Sequence, residues 1–308
     1  MTTRSLSLPS YAKVNLILRV LGKRADGYHE IETVLQTISL HDTLHISVTS
    51  GNESVFSCND ASVPADATNL ILRAGAALRE RFSGTGGYRI ELEKRIPPQG
   101  GLGGGSSNAA ITLLALNQLW ELGASRGDLM ELAAKLGADV PFFLDGGVAF
   151  AKGIGTQLTA IADIPKQRIL VVTPSATVST AKAYQSLKVP ALTTSEAASI
   201  LAISRTQAIF SDSTPIALCD HLENDFERVI FDIEPEIRRV KQALMQAGAR
   251  CALLAGSGSS VFGIFENDEV LSRAAQKLLI ESGWRIFSCA TLSRDEYLHA
   301  LSSAVPGR

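Results

Sequence analysis

The sequence predicts an α+β fold in two parts, residues 1–164 and 165–308. Three observations carry this. The chain has 308 residues and 45% hydrophobic content, and a prior of ~150 residues per domain gives two cores. The first half mixes strands of alternating polarity with helices around one glycine run. The second half reads β-α-β-β-α-β once a long insertion is set aside.

Residues 13–20 alternate: Val14, Leu16, Leu18 and Val20 share one face, Lys13, Asn15 and Arg19 the other, with Ile17 the exception. Lys13 and Asn15 side by side either reach into a common cavity or form an exposed strand face. Asp26-Gly27 is a turn signal, and Tyr28-His29 follow it directly. A ring placed there either stacks a planar base, with imidazole bonding its edge, or packs beneath its own turn. Residues 34–40 and 43–49 read as a hairpin across His41-Asp42. Asp66-Ala67-Thr68-Asn69 caps a helix running to about Phe82, with Ile71, Ala74 and Leu78 on its apolar stripe. Residues 88–93 alternate again.

Pro97-Pro98-Gln99-Gly100-Gly101-Leu102-Gly103-Gly104-Gly105-Ser106-Ser107 comes next, and an apolar helical pattern follows to about residue 122. Successive glycines can aim their N–H groups into one concavity. A helix starting at Ser106 or Ser107 adds free N–H groups and the positive end of its dipole. This strand–loop–helix context predicts a polyanion site, most plausibly for phosphate. No lysine follows the last glycine, so it is not a Walker A loop, and no G-x-G-x-x-G frame fits. Lys94 and Arg95 either supply the missing cation or are solvated strand-end charges.

A helix over 128–136 ends at Gly137, before Ala138-Asp139-Val140-Pro141. Asp139 sits among apolar neighbours, so it is either a tunable carboxylate or a turn aspartate satisfying backbone N–H groups. Residues 148–152 form a strand. In the second half, 168–173 is a buried strand, 235–247 a helix, 251–255 and 260–265 strands, 268–282 a helix and 284–291 a strand, the ferredoxin-like order. Gly256-Ser257-Gly258-Ser259 is either a plain hairpin turn or a second point of backbone approach to a ligand. Whether residues 189–212 close over a site is left open, and the tail from Ser293 carries no signal.

The formal charge of −2 gives no field that would recruit nucleic acid or an anionic membrane. Cys58, Cys219, Cys251 and Cys289 include no C-x-x-C pair, so neither a zinc site nor a disulfide framework is expected, only free thiols. With no signal peptide and no apolar run of ~18 residues, the expectation is a cytoplasmic, soluble protein.

Tyr11-Ala12-Lys13-Val14-Asn15-Leu16, Arg24-Ala25-Asp26-Gly27-Tyr28-His29, Gly101-Leu102-Gly103-Gly104-Gly105-Ser106-Ser107-Asn108-Ala109-Ala110 and Leu136-Gly137-Ala138-Asp139-Val140-Pro141-Phe142 occur in this order. Together they resemble the GHMP small-molecule kinases, above all the branch that acts on 4-diphosphocytidyl-2-C-methyl-D-erythritol. The resemblance is close over the first ~150 residues and looser after them. It implies a nucleotide-binding, catalytic domain like the second domain of ribosomal protein S5, followed by a ferredoxin-like substrate-side domain. It implies ATP-dependent phosphorylation of the substrate's C2 hydroxyl in non-mevalonate isoprenoid biosynthesis. By motif matching, Asp139 takes the hydroxyl proton and Lys13 keeps that carboxylate ionised. Tyr28 and Tyr184 sandwich the cytosine, His29 bonds its edge, and Asn15 and Thr180 contact substrate polar groups. The residues from Pro97 to Ser107 bind ATP, with Asn69 and Lys94 near the nucleotide. Magnesium is implied; Ser107 is a candidate ligand, but no matching glutamate is found and the metal ligands stay open. A monomer or weak homodimer is expected, with no nucleic-acid or membrane partner. The alternatives are a homoserine, mevalonate or sugar kinase of the same family, or a nucleotide-binding regulator without chemistry.

Overall fold

A computed structural model describes residues 4–82, 84, 86–192 and 218–303; of the segment at 189–212, residues 193–212 lie outside them. Among the described residues the chain forms two sheets. The first contains β1 (Ser5–Lys23), β2 (His29–Thr49), β3 (Ser54–Cys58), β4 (Gly87–Glu93), β5 (Val148–Gly153), β6 (Gln157–Ala160) and β8 (Glu223–Asn224). Its order is β3-β4-β2-β1-β8, with β5 also on β2 and β6 on β5. The second contains β7 (Arg168–Thr173), β9 (Cys251–Leu254), β10 (Val261–Phe265) and β11 (Arg285–Ala290) in the order β11-β7-β10-β9, every pair antiparallel. That arrangement is the ferredoxin-like one the sequence predicts.

Strand alternation sorts the apolar residues into layers. Leu44, Ile46, Tyr88 and Ile90 of the first sheet pack against α1 (Leu70–Phe82), α2 (Gly104–Leu119) and α3 (Arg126–Leu136). Its other face, through Val14, Val34 and Ile38, meets Ile169, Val171 and Phe262 of the second sheet. Leu170, Val172 and Val261 point away, toward α6 (Glu227–Ile233), α7 (Pro235–Gln246) and α8 (Asp268–Leu278). The run at 168–173 is apolar at successive positions because both of its faces are covered. Short helices α4 (Phe142–Asp145) and α5 (Thr180–Leu187), a 3-10 turn at Leu218–Asp220 and a final helix, α9 (Arg294–Ser303), complete the described elements. None of these helices is long and apolar enough to cross a membrane.

Four expectations are corrected. There is no hairpin at His41-Asp42: β2 runs through, accommodating Ser39 and Leu40 as two extra residues where Tyr11 faces His41 and Ala12 faces Ile38. Asp42 resembles a turn residue but is fully buried; its carboxylate accepts from the Arg95 and Ile96 N–H groups, each at 2.8 Å. Helix α2 begins at Gly104, inside the glycine run, rather than at the serines. Cys219 and Cys251 form a disulfide, with Cα atoms 5.6 Å apart. Local spacing cannot reveal a pair that only the fold brings together. The tail that carried no signal is α9, docked by the Tyr297 hydroxyl, which donates to the Phe143 carbonyl.

Candidate active site

The glycine loop is clamped between two backbones. On one side the Lys13 N–H of β1 donates to the Leu102 carbonyl at 2.9 Å; on the other the Ser260 N–H donates to the Gly100 carbonyl at 3.1 Å. Gly101 has φ +76°, and a Cβ there would lie 2.0 Å from the Ala255 carbonyl oxygen, so no other residue fits without moving backbone. The turn at 256–259 is therefore the loop's buttress, and Asn224 holds it by donating to the Leu254 and Gly256 carbonyls at 2.8 Å each. The first intrahelical bond of α2 runs from Ser107 N–H to the Gly103 carbonyl, at 2.9 Å. The N–H groups of Gly104, Gly105 and Ser106 precede it, a feature that attracts anions.

Gly101, Gly103 and Ser106 open on a cavity of about 710 Å³. Lys13 and Asp139 open on the same cavity, with Nζ 3.4 Å from Oδ2. Lys13 comes from the middle of β1. Asp139 comes from the turn between α3 and α4, closed by the Val140 N–H on the Gly137 carbonyl, with Pro141 at the start of α4. The lysine side chain is 5% exposed and the carboxylate 36%. Asp139 is thus half open to the cavity rather than desolvated among its apolar neighbours. The Lys13 ammonium donates to Asn15 Oδ1, and Asn15 Nδ2 donates to Thr33 Oγ1, both at 2.7 Å. Both ends of the Asn15 amide are therefore engaged inside the protein, while its side chain still borders the cavity.

The far end of the cavity is aromatic. Ser179 caps α5, and Thr180 and Tyr184, four residues apart, fall on one helical face toward the cavity. Tyr184 meets the edge of Phe226 at 4.9 Å and stacks on the His29 ring at 4.6 Å and 25°. The resemblance pairs Tyr184 with Tyr28 across a base. Here His29 faces Tyr184, and Tyr28 stands at the rim, 61% exposed. Burial, with the charge of Asp139, pushes the Tyr184 hydroxyl up to about 12. Burial and the charge of Lys23 lower the His29 imidazole's pKa, favouring the neutral ring. Thr180 Oγ1 is 3.0 Å from Ser257 Oγ, so α5 also touches the buttress turn.

Sequence reasoning missed the latch that shapes the Tyr28 turn. The Arg24 guanidinium bonds Asp26 at 3.0 Å and the buried Glu30 at 2.7 Å, while Asp26 Oδ1 accepts from the Tyr28 N–H at 3.1 Å. The Arg24 contact holds the Asp26 carboxyl below its ordinary range. The signal was present in Arg24-x-Asp26-Gly27 followed by Glu30, a cation bracketed by two acids around a glycine turn.

Several predicted residues lie behind the cavity rather than on it. Lys94 donates to Asp42 and to the Ile96 carbonyl, both at 2.6 Å, and burial lowers its pKa. Its Nζ lies 3.1 Å from where a Gly104 Cβ would sit, so it braces the loop with its charge already balanced. Asn69 caps α1, accepting from Ile71 N–H at 2.9 Å and donating to the Pro64 carbonyl at 2.6 Å. Ser107 is buried and accepts from Ser10 at 2.7 Å; Ser106 is the loop serine that opens on the cavity. Pro97, Pro98, Gln99, Gly100, Leu102, Gly104 and Gly105 shape the loop without lining the cavity. A second cavity of about 750 Å³, between α2, α4 and α9, has mostly apolar walls and none of the predicted site residues.

Comparison with known proteins finds matches over most of the chain. Residues 69–147 match the GHMP kinases N terminal domain, and residues 212–282 match GHMP kinases C terminal. The chain is 43% identical over 277 residues to the 4-diphosphocytidyl-2-C-methyl-D-erythritol kinase of Prosthecochloris aestuarii, covering 89% of this chain and 94% of that one. A crystal structure of a 4-(cytidine 5'-diphospho)-2C-methyl-D-erythritol kinase superposes with a TM-score of 0.74 at 34% identity, over 93% of this chain and 99% of the other. A homoserine kinase from Cytophaga hutchinsonii superposes with a TM-score of 0.69 at 19% identity, covering 94% and 95%, and shows a shared fold alone.

Proposed function

The chain belongs to the GHMP kinases, among the 4-diphosphocytidyl-2-C-methyl-D-erythritol kinases, and from that premise we propose that it transfers the γ-phosphoryl group of ATP to the C2 hydroxyl of 4-diphosphocytidyl-2-C-methyl-D-erythritol. Family membership makes it an ATP-using kinase of non-mevalonate isoprenoid biosynthesis. The finer reading is supported by one observation. The Lys13–Asp139 pair opens on the same cavity as the N-terminus of α2 and the Tyr28–His29–Tyr184 group. Residues 1–164 then act as the nucleotide-binding, catalytic domain and 165–308 as the substrate-side domain.

In this reading the triphosphate lies against the amides of Gly103 to Ser106, and the acceptor hydroxyl lies between Lys13 Nζ and Asp139. The hydroxyl oxygen bonds to γ-phosphorus in line as the bond to the β–γ bridging oxygen breaks, and Asp139 takes the proton. Lys13 stabilises negative charge on the oxygens in flight. Catalysis is mainly positioning and electrostatics. The cytosine stacks on Tyr184 where the His29 ring now lies, and Tyr28 closes over it from the solvent side. Asn15 and Thr180 border the substrate's polar groups; Asn69 and Lys94 act by bracing the nucleotide side. Among the described residues no cluster of three His, Cys, Asp or Glu could hold a metal unaided. That suits magnesium, which takes most of its ligands from phosphates and water; Ser106, on the loop side of the cavity, is a protein oxygen that would hold it. Bound there, it would offset the charge of the β- and γ-phosphates.

The test is ADP release with magnesium-ATP and one of three acceptors: the cytidine diphosphate substrate, mevalonate or homoserine. Turnover with the first alone is expected; preference for either other acceptor assigns the protein to another kinase of the fold. Asp139→Asn should lower kcat by about 10²–10⁴-fold, and near-normal turnover would remove Asp139 as the base.

A further inference from the structure

We propose that Thr33, on β2, is a positioning residue for phosphoryl transfer, holding the Lys13 ammonium away from Asp139 by way of Asn15. The proposal rests on the roles just given to Lys13 and Asp139. It begins with an irregularity in the sheet. Asn15 faces Leu35, but Ile17 faces Val34, so Leu16 is an extra residue and β1 bulges there. The bulge explains why Ile17 breaks the strand's alternation: Leu16 and Ile17 are both fully buried in the layer between the two sheets. It also brings the Ile17 carbonyl within 2.6 Å of Thr33 Oγ1.

That carbonyl fixes the direction of everything beyond it. A carbonyl only accepts, so the single hydroxyl proton of Thr33 is committed to Ile17. Toward Asn15, Thr33 can then only accept, and Asn15 must present its amide nitrogen, 2.7 Å away. Its amide oxygen is thereby turned to Lys13 Nζ, also at 2.7 Å. The reversed amide would set its N–H donors against the ammonium and its oxygen against a hydroxyl whose proton is already used. Lys13, Asn15 and Thr33 are 4%, 4% and 2% exposed, so water does not readily substitute for a lost link.

The consequence falls on the ion pair. Free lysine–carboxylate contacts close to about 2.7–2.9 Å, whereas Nζ and Asp139 Oδ2 are 3.4 Å apart. One ammonium proton is anchored on Asn15, which leaves the carboxylate oxygen open to the hydroxyl it must deprotonate. With the relay broken, the ammonium swings onto Asp139 and occupies that oxygen, so the acceptor hydroxyl loses its partner.

The experiment compares Thr33→Val, which keeps the shape and removes the hydroxyl, with Thr33→Ser, which keeps the hydroxyl. Thr33→Val should lower kcat by about 10- to 100-fold, with KM for ATP and for the cytidine substrate within about threefold of wild type, and Thr33→Ser should recover most of the rate. In a Lys13→Met background, Thr33→Val should lower the residual rate no further. Wild-type kcat in folded Thr33→Val, a Thr33→Ser as slow as the valine variant, or a loss confined to KM would each overturn the proposal. If Thr33→Val does not fold, Thr33→Ala against Thr33→Ser carries the same comparison. Failure of the parent reading shows separately, as an active Asp139→Asn.

Discussion

At the loop end of the cavity the wall is backbone, whereas at the aromatic end it is side chains standing on a turn and a short helix. The loop is pinned by main-chain bonds to Lys13 and Ser260, and Gly100, Gly101 and Gly103 leave no space behind them. The Tyr28 turn is held by an ion-paired latch, with Tyr28 itself largely in solvent. The contrast fits the chemistry that the proposed function gives each end. A phosphate chain is gripped by fixed N–H groups whose value depends on not reorganising. A base is gripped by flat rings, each able to contribute on its own.

Two glycines give the largest separation. A Cβ on Gly101 would meet the Ala255 carbonyl oxygen at 2.0 Å, whereas at Gly27, φ +87°, it would meet nothing within 4 Å. Gly101→Ala must shift the loop or its buttress, and a displacement near 1 Å costs about 10²-fold in kcat/KM. Gly27→Ala meets only left-handed strain, about 1 kcal/mol, in thermal melts. Equal losses from the two would mean that the loop end is no more rigid than the turn.

The aromatic residues divide next. Tyr184 packs on Phe226 and His29, so Tyr184→Ala should lower stability by about 1–3 kcal/mol as well as weaken the cytidine substrate. Among the described residues Tyr28 has no such packing: Tyr28→Ala should leave the melting temperature within experimental scatter and raise substrate KM roughly tenfold, the worth of one stacking contact of about 1–3 kcal/mol. An unchanged KM would show that Tyr28 does not stack. Arg24→Met should have a smaller effect, raising KM for the cytidine substrate a few-fold without touching that for ATP; a change in both would show that the latch extends beyond its turn.

The same division governs what the sequence could reveal. Gly100 to Ser107, the alternation at 88–93 and the β-α-β-β-α-β order were legible because glycine, a period of two and helix punctuation report local backbone needs. The fate of Asp42 and Lys94 was not: an aspartate beside a histidine reads as a turn, and only the fold shows it buried on the ammonium and two amides. Asn69 was read correctly as a cap, while motif matching drew it toward the nucleotide. Thr33 and the bulge at Leu16 left one trace, the misplaced Ile17. The Cys219–Cys251 bridge left none, since it joins the turn before β8 to an edge strand through tertiary contact alone.

The smallest expected effect lies in pH. Backbone amides do not titrate near neutrality, so only the aromatic end should respond there, through His29. Its folded pKa is lowered first by burial and then by Lys23, so the native state binds fewer protons than the unfolded chain, where imidazole titrates near 6.5. The contribution of the neutral ring is fully present above that value and is lost as pH falls through the lowered folded pKa. Melts at pH 7.5 and 5 should therefore show wild type losing slightly more stability than His29→Gln. Saturating cytidine diphosphate should shrink the difference, because a base on Tyr184 displaces the imidazole toward water and restores its ordinary titration. If the difference persists unchanged with nucleotide bound, the ring has not moved, and the base must enter by another face of the cavity.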